Sequence, residues 1–318
     1  MAKTKEIQRR IKSVNSIKKV TRAMEMVAAS KMRRSVEAVL KTRTYSNLAW
    51  LTVLNIAGSI ESKEGIHPLL DPRPQAKKVA IILISSNRGL CGSFNSNIIN
   101  KAVDSIKKQG NLDTDFILIG KKGLAVNSRF QYNVSAEFDK EDFISEIKEV
   151  QPIAKMVIDD FLAKKYDKVM VAYTDFINSV KQVPRVKQLL PIEIDSDDEY
   201  LGVVGKGENV STTKTYIKSK EDKYLKSDKY QYEFIYEPSP DLVLDQMLPR
   251  LIEVQLFQAL LESNASEHSV RMTSMHQASE AATELVDELV LYYNKARQAA
   301  ITSEISEISA GANALNSK

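Results

Sequence analysis

The sequence predicts a mixed α/β fold in which two long helices, one at each end of the chain, flank a small domain built on a parallel sheet. Glycine and proline, the residues that most often interrupt helices, are absent from residues 1–57 and again between Pro249 and Gly311. The residues between these two stretches instead alternate short apolar runs with helical patterns. A helix as long as the first stretch would span roughly 85 Å, well beyond the diameter of a small domain.

Residues 1–58 predict the first long helix. Its apolar side chains recur at steps of three and four, which keeps them on one face of a helix. They are Ile7, Ile11, Val14, Ile17, Val20, Met24 and Val27. A narrow stripe of this kind predicts one long partner helix.

This first helix is strongly basic. Residues 1–43 contain thirteen Lys or Arg against only Glu6, Glu25 and Glu37, a net charge of +10, whereas the whole chain carries +4. Such a charge favours an acidic partner, which nucleic acid, anionic lipid or an acidic protein surface would each provide. A solvated helix face is the alternative interpretation.

Residues 75–194 predict a Rossmann-like α/β domain. Continuous apolar runs are typical of strands buried on both faces, and here they alternate with helical patterns, as in a doubly wound parallel sheet. Strands are predicted at 79–84, 116–119 and 169–173, helices at 95–108 and 141–165, and an antiparallel edge strand containing Pro184 at 180–192. Residues 195–229, rich in charge, Ser, Thr and Gly, predict a polar surface insertion.

Residues 238–315 predict the second long helix, which opens on the Pro and Asp of the sequence PSPD. Pro249 lies inside the pattern and is expected to kink the helix or to mark its start. Apolar residues then follow the same rhythm in two registers: Leu285, Leu289, Tyr292, Ala296 and Ala299, and after them Ile301, Ile305, Ile308, Ala312 and Leu315. Two single-stripe helices at opposite ends of one chain are expected to pair as an antiparallel coiled coil.

The sequence predicts no catalytic, cofactor-binding or metal-ligating constellation. The loop after the first strand, SNRGLCGSFN, has only Gly89 and Gly92 and matches neither glycine-rich phosphate-binding pattern. Cys91 has no second cysteine with which to form a disulfide or a redox pair. No metal-ligand spacing is present among the histidines, which are His67, His268 and His276.

The hydropathy of the chain argues against a membrane span. It contains no apolar run of the roughly 18 residues that a span requires. Its first residues, MAKTKEIQRRIK, also lack the apolar core of a signal peptide. We therefore expect the protein to stay in the compartment where it is made.

Four segments of the chain resemble one known family. They are KEIQRRIKSVNSIKKVTRAMEMVAASKMRR at 5–34, RGLCGSFN at 88–95, RMTSMHQAS at 271–279 and YYNKARQAAITSEISEISAGANAL at 292–315. The gamma subunit of F-type ATP synthase carries similar segments in the same order. The resemblance implies a central rotor stalk that is not itself an enzyme and needs no cofactor. It implies contacts with the hexamer of alpha and beta subunits, with the epsilon subunit and with the ring of c subunits, at the cytoplasmic face of the bacterial plasma membrane.

The same resemblance implies which residues couple rotation to the hexamer. Met24 matches the methionine that lies near an acidic region of the beta subunit, although packing inside the coiled coil is an equal alternative for this side chain. The remaining matches all fall in the second helix. Arg271, Arg297 and Gln298 match polar residues implicated in coupling, and Thr302 and Glu304 fall on further matching positions.

The chain departs from the family pattern in two places. Asn87 stands where the family commonly has Asp, which questions any role for charge in that loop. The insertion at 195–229 is longer than is usual in bacteria and contains no cysteine, which excludes a dithiol switch. Our hypothesis is that it forms a surface hairpin that modulates ATP hydrolysis.

Two interpretations from other functional classes compete with the rotor. A basic coiled-coil protein that binds nucleic acid would explain the charge of residues 1–43, but aromatic residues are not interleaved with the basic ones. A nucleotide-binding enzyme built on the central sheet would rest on fold analogy alone.

Overall fold

The computed structural model describes residues 2–59, 67–71, 73, 76–108, 110, 112–141, 146–192, 237 and 239–316. The predicted insertion at 195–229 lies outside these described residues. The helices are α1 (Ala2–Ser59), α2 (Phe94–Lys108), α3 (Ala125–Phe130), α4 (Gln151–Leu162) and α5 (Pro240–Asn316). The strands are β1 (Lys78–Ile84), β2 (Asp113–Ile119), β3 (Asn133–Phe138), β4 (Lys168–Phe176) and β5 (Gln182–Leu190).

The chain divides into two compact units, and each long helix contributes to both. One unit, which we call the helical unit, consists of Met1–Ala29 and Arg271–Lys318. The other, the sheet unit, is Ser30–Val270. The mixed α/β class with a long helix at each end is therefore confirmed.

The sheet unit is built on five strands in the order β3-β2-β1-β4-β5. The first four are parallel, and β5 pairs antiparallel with β4, placing Pro184 opposite Thr174. Parallel strands need crossover connections, which α2, α3 and α4 provide. The three parallel strands and the antiparallel edge strand predicted from the sequence are confirmed.

Alternate residues of the central strands enter two separate apolar cores. On one face, Ile81, Leu83 and Phe116 pack against α2. On the other face, Ile82 and Ile117 join a larger cluster that includes α4 and the parts of α1 and α5 that belong to this unit. The sheet is therefore covered on both faces, which explains why its central strands are apolar throughout.

Three features of the sheet unit differ from the sequence-based expectations. β3 and α3 were not predicted, although β3 alternates half-buried and exposed residues, the period-two signal of a strand. The helix expected at 141–165 is shorter. Its described part consists of a 3-10 turn at Ile147–Glu149 and α4, with Pro152 in the first turn of α4. Proline lacks the N–H that an earlier start of the helix would use, so it favours a start near this point.

The second long helix begins at Pro240 and continues through Pro249. Of the two expectations for Pro249, the one that it marks the helix start is therefore wrong. Proline at this point removes one backbone hydrogen bond, but Leu248 and Leu251 on either side of it are fully buried in the larger apolar core. Burial of that face stabilises the helix despite the lost bond.

Candidate functional site

The helical unit is held together by a seam of residues on two helices. In α1 the buried or half-buried positions recur in heptad rhythm as Ile7, Ile11, Val14, Lys18, Thr21, Glu25 and Ala28. In α5 they are Met275, Ser279, Ala282, Val286, Leu289, Tyr293, Ala296 and Ala300. Steps of four and three that persist over several turns are the signature of two helices packed as a coiled coil.

A cross-helix contact gives the direction of this packing. His276 Nδ1 lies 3.1 Å from Glu25 Oε1, and His276 Nε2 lies 3.3 Å from Glu280 Oε1. From this contact the α1 seam continues towards lower residue numbers and the α5 seam towards higher ones. Because Met1–Ala29 and Arg271–Lys318 form one compact unit, both segments extend to the same side of the contact, and the helices run antiparallel, as predicted.

The predicted α1 stripe is wrong in part. Ile7, Ile11 and Val14 do lie in the seam, but Ile17, Val20 and Val27 are each more than half exposed. Their places in the seam are taken by the next residue along the chain, such as Thr21 and Ala28. Small side chains let two helices approach closely, whereas the larger apolar residues beside them stay on the surface.

The predicted α5 stripe is also shifted in phase. Leu289 and Ala296 lie in the seam, but Leu285 and Tyr292 are exposed. Beyond Ala300 every residue whose side chain is described, from Ile301 to Ala312, is exposed, including three isoleucines. Apolar residues therefore lie on the outside of the helical unit as well as in its seam.

The residues implicated by the resemblance fall into two groups along this unit. Met24 and Arg271 are half-buried, and they lie close in sequence to the contact between Glu25 and His276. The other four are all exposed and lie about 39 Å farther along α5, counted from Arg271 to the first of them at 1.5 Å per residue. They are Arg297, Gln298, Thr302 and Glu304.

Helix periodicity divides this second group between two faces. Arg297, Ile301, Glu304 and Ile308 lie within about 60° of one another around the helix, and Gln298, Thr302 and Ile305 form a second, neighbouring face. Each face combines polar groups with one or two exposed isoleucines. This composition suits a partner surface that offers both apolar area and hydrogen-bonding groups.

The loop after β1 forms a closed hydrogen-bond network in the sheet unit. Asn95 Oδ1 accepts from Ser86 N at 3.0 Å, Asn95 Nδ2 donates to Ser86 Oγ at 2.8 Å, and Ser86 Oγ donates to the Arg88 carbonyl at 2.7 Å. The buried Cys91 thiol packs against the same groups, 3.3 Å from Asn95 Nδ2. The side chains of Ser86, Cys91 and Asn95 are thus directed at one another, as expected of a tight strand-to-helix turn.

The histidines have structural partners in the described part of the chain. His276 bridges two carboxylates in the helical unit, as above, and His67 Nε2 lies 3.1 Å from Asp245 Oδ1 in the sheet unit. No group of three or more His, Cys, Asp or Glu among the described residues could hold a metal ion. No helix in the described ranges combines the length and apolarity needed to cross a bilayer.

Comparison with known proteins decides the family. The ATP synthase family model matches residues 3–315. The ATP synthase gamma chain of Herpetosiphon aurantiacus is 41% identical over 329 aligned residues, which cover 99% of this chain and all of the relative. This chain belongs to the ATP synthase gamma chain family.

Solved structures share the fold of this gamma-chain family member. A chain of the Euglena gracilis mitochondrial ATP synthase in rotational state 3 has a TM-score of 0.64 at 18% identity, covering 99% of this chain and 95% of its own length. A chain of the central stalk and c-ring structure of the Tetrahymena thermophila mitochondrial ATP synthase has a TM-score of 0.57 at 22% identity, covering 82% and 99%. The gamma chain is a non-catalytic subunit of ATP synthase, and none of these comparisons supports nucleic-acid binding.

The structure gives a physical account of Asn87, the departure from the gamma-chain pattern. Its side-chain N–H donates to the Lys140 carbonyl, and its side-chain oxygen accepts from the Lys121 N–H at 3.3 Å. One partner is an acceptor and the other a donor, so the amide joins three loops in a way that a carboxylate, which only accepts, would not. The sequence alone contained no signal for these two partners.

Proposed function

We propose that this chain is the central rotor stalk of an F-type ATP synthase. In this role it transmits torque between the ion-driven ring of c subunits and the catalytic hexamer of alpha and beta subunits. The observation that carries the proposal is the outer surface of the helical unit, where a seam of heptad rhythm ends near Ala300 while exposed isoleucines and polar residues continue to Ala312. Such a surface is suited to being covered by a surrounding partner.

The mechanism follows from the asymmetry of an antiparallel pair of unlike helices. The Arg297 face and the Gln298 face present different residues near the carboxyl end of α5, and the exposed α1 stripe of Ile17, Val20 and Val27 presents a third set of residues nearer to the contact between Glu25 and His276. A rotor of this kind acts as a ligand whose contacts differ for each of the beta subunits around it. Differential contacts shift each catalytic site between conformations in turn, which is what coupling requires.

Each implicated residue supplies a distinct kind of contact. The Arg297 guanidinium can bind a carboxylate of the hexamer through two parallel hydrogen bonds. Gln298 and Thr302 offer neutral hydrogen-bonding groups on the neighbouring face, and Glu304 offers an acceptor on the Arg297 face. Met24 is half-buried, and its flexible thioether side chain suits a contact that slides as the rotor turns.

We infer that the sheet unit contacts the epsilon subunit and the c ring. We further infer that the complex places the chain at the cytoplasmic face of a bacterial plasma membrane, as a peripheral protein. The basic residues of α1 favour an acidic surface on the hexamer. Strong, salt-dependent binding of the free chain to duplex DNA or RNA would instead favour the nucleic-acid interpretation.

The test is co-expression of this chain with its own alpha and beta subunits, purification through a tag on this chain, and an ATPase assay. Recovery of an active hexamer containing one copy of the chain is expected. Arg297→Ala and Gln298→Ala are each expected to lower ATP turnover by about threefold to tenfold, because each removes a hydrogen bond to the hexamer. Arg129→Ala, an exposed arginine of α3, is the matched control and should have no effect. Failure to recover either partner would contradict the proposal.

A further inference from the structure

A group of polar residues fixes α5 to the sheet, and we call it the polar joint. It consists of Lys140, Ser266, Glu267 and Ser269. Lys140 Nζ donates to Glu267 Oε2 at 2.6 Å, and the two side chains are only 3% and 6% exposed. This is a buried ion pair between the segment that follows β3 and the long helix.

Two serines of the polar joint connect the same turn of α5 to β4 and to the loop after it, whereas Lys140 follows β3, on the other side of β1 and β2 in the strand order. Ser266 Oγ donates to the Thr174 carbonyl near the end of β4 at 3.1 Å. Ser269 Oγ donates to the Ser179 carbonyl in the loop after β4 at 2.8 Å, and it accepts from Gln182 Nε2 at 3.2 Å. The contacts of one helical turn therefore reach strands on both sides of β1 and β2.

All these contacts lie at the carboxyl ends of the parallel strands. In doubly wound folds that edge, near the point where the strand order reverses, is where ligands commonly bind. Here the reversal lies between β1 and β4, and α5 is anchored across the same edge. The sheet thus presents to its own long helix the edge that related folds present to a ligand.

The chemistry of the joint is poorly explained by stability alone. Replacing a buried ion pair with well-packed apolar residues is often neutral or stabilising, because two charges lose their hydration on burial. α5 is buried on every side from Val254 to Ser269, and an apolar surface alone would permit neighbouring registers. A buried charge pair with a single close geometry selects one register, as a buried polar residue does in coiled coils.

We propose that the polar joint holds α5 in one rotational and axial register on the sheet, so that Lys140 and Glu267 are positioning residues for torque transfer. The inference rests on the proposed function, because register matters only if the helix transmits rotation. In a rotor, slip between helix and sheet lowers the number of ions moved per ATP hydrolysed without necessarily lowering ATP turnover. Fold stability and coupling are therefore expected to respond differently to loss of the pair.

The test replaces the pair with apolar residues, Lys140→Met with Glu267→Leu, in the complete complex reconstituted into vesicles. ATP-driven uptake is followed for both protons and sodium ions, together with ATP hydrolysis and the thermal unfolding of the free chain. We expect unfolding at the wild-type temperature or above, and a fall in ions moved per ATP of about twofold or more. Wild-type coupling in the double variant would overturn the inference.

The matched control is the exposed pair of Lys121 and Asp139, 3.3 Å apart in the same unit. Its replacement, Lys121→Met with Asp139→Leu, should leave coupling unchanged, and an equal loss of coupling there would also overturn the inference. If the buried double variant does not assemble, the Glu267→Gln variant is measured instead, because glutamine keeps the shape of the side chain and can still accept the hydrogen bond from Lys140, but removes the charge. Reduced coupling in an assembled Glu267→Gln complex would support the joint, and unchanged coupling would overturn it.

The wild-type complex separates this inference from the proposed function. A wild-type chain that does not assemble with alpha and beta subunits contradicts the rotor proposal and, with it, the joint. If the wild-type complex moves ions on ATP hydrolysis and the joint variants move as many ions per ATP, the inference about the polar joint is contradicted and the rotor proposal is not.

Discussion

Asn87 illustrates how a single side chain can organise a loop region without any charge. The hydrogen-bond partners determine which side-chain atom of Asn87 is the nitrogen and which is the oxygen, because the Lys140 carbonyl requires a donor and the Lys121 N–H requires an acceptor. The residue therefore links the end of β1 with the segments that follow β2 and β3. The side chain of Lys140, the same residue whose carbonyl Asn87 binds, belongs to the polar joint.

Asn87→Asp is expected to destabilise the free chain by about 1–3 kcal/mol, the cost of leaving the carbonyl of the buried Lys140 without its donor and facing a carboxylate. The measurement is urea unfolding at neutral pH. Asn97→Asp serves as the control, since Asn97 is exposed near the start of α2, where a carboxylate is favourable. Equal stability of Asn87→Asp and wild type would contradict the assigned hydrogen bonds.

His67 connects the segment before the sheet to α5 in its neutral form. Its Nδ1 accepts from the Leu69 N–H at 3.0 Å, so Nε2 carries the proton and faces Asp245. Burial lowers the pKa of His67 from the ordinary 6.5, and the nearby carboxylates of Asp245 and Asp71 only partly oppose this effect. The side chain is held neutral where the unfolded chain would be charged.

This lowered pKa predicts acid sensitivity. Below pH 6.5 the unfolded chain binds a proton that the folded His67 binds only at lower pH. The contribution of His67 to stability is therefore complete above pH 6.5 and is lost as the pH falls through the lowered pKa. His67→Asn keeps an acceptor for Leu69, and its unfolding free energy should fall less steeply than that of wild type on acidification. Unfolding free energy would be measured for both proteins from pH 8 to pH 5.5, a range of about two and a half units that includes the ordinary pKa of histidine. If the two unfolding free energies fell in parallel over this range, the prediction would be wrong.

At the scale of elements, the seam of the helical unit depends on small residues. Ala28 and Ala282 are almost completely buried, while larger apolar side chains beside them are exposed. A seam packed in this way leaves little room for additional atoms, because protein interiors are close-packed.

Ala28→Leu is expected to destabilise the helical unit by about 1–3 kcal/mol through overpacking. Ala23→Leu is the matched control, because Ala23 lies on the exposed side of the same helix and leucine has nearly the helix propensity of alanine. Both variants are compared by thermal unfolding of the full chain, followed by circular dichroism. A seam that tolerated the two substitutions equally would mean that Ala28 is not packed between the helices.

The long helices could be predicted from the sequence, but the face that each buries could not be predicted fully. Ile17, Val20 and Val27 continue the heptad rhythm of Ile7 and Ile11, yet they are exposed. A stripe that packs inside the chain and a stripe available to another protein have the same periodicity. Periodicity therefore identifies the helix and leaves the partner undetermined.

The burial of polar residues in α5 also could not be predicted from the sequence. Gln258, Glu262 and Glu267 are all nearly inaccessible, although their residue types are usually exposed. Their partners come from close by on the helix, as for Gln258 with Glu262, and from far along the chain, as for Glu267 with Lys140. A contact between residues more than a hundred positions apart leaves no local signal. The coupling residues, in contrast, came from the resemblance alone, and their roles stay predictions.

At the scale of the whole molecule, α5 passes through two very different environments. Between Val254 and Ser269 it is buried on every side, whereas from Ile301 to Ala312 each described side chain is exposed. Packing supplies most of the stability of a helix in a protein, because an isolated helix is marginal in water. The same continuous helix should therefore be most stable within the sheet unit and least stable near its carboxyl end.

Hydrogen exchange of backbone amides measures this gradient directly. In the free chain we expect amides of 301–312 to exchange rapidly through local opening and amides of 254–269 to exchange as slowly as the strands of the sheet. In the complex with alpha and beta subunits, the exchange of 301–312 should slow by at least about tenfold, because a partner surface that covers the exposed isoleucines adds more than 1.4 kcal/mol to the cost of opening. Rapid exchange of 301–312 in both states would mean that this end of α5 is not the surface that the hexamer covers. Slow exchange of 301–312 already in the free chain would mean that this segment is stable as a helix without packing against a second helix.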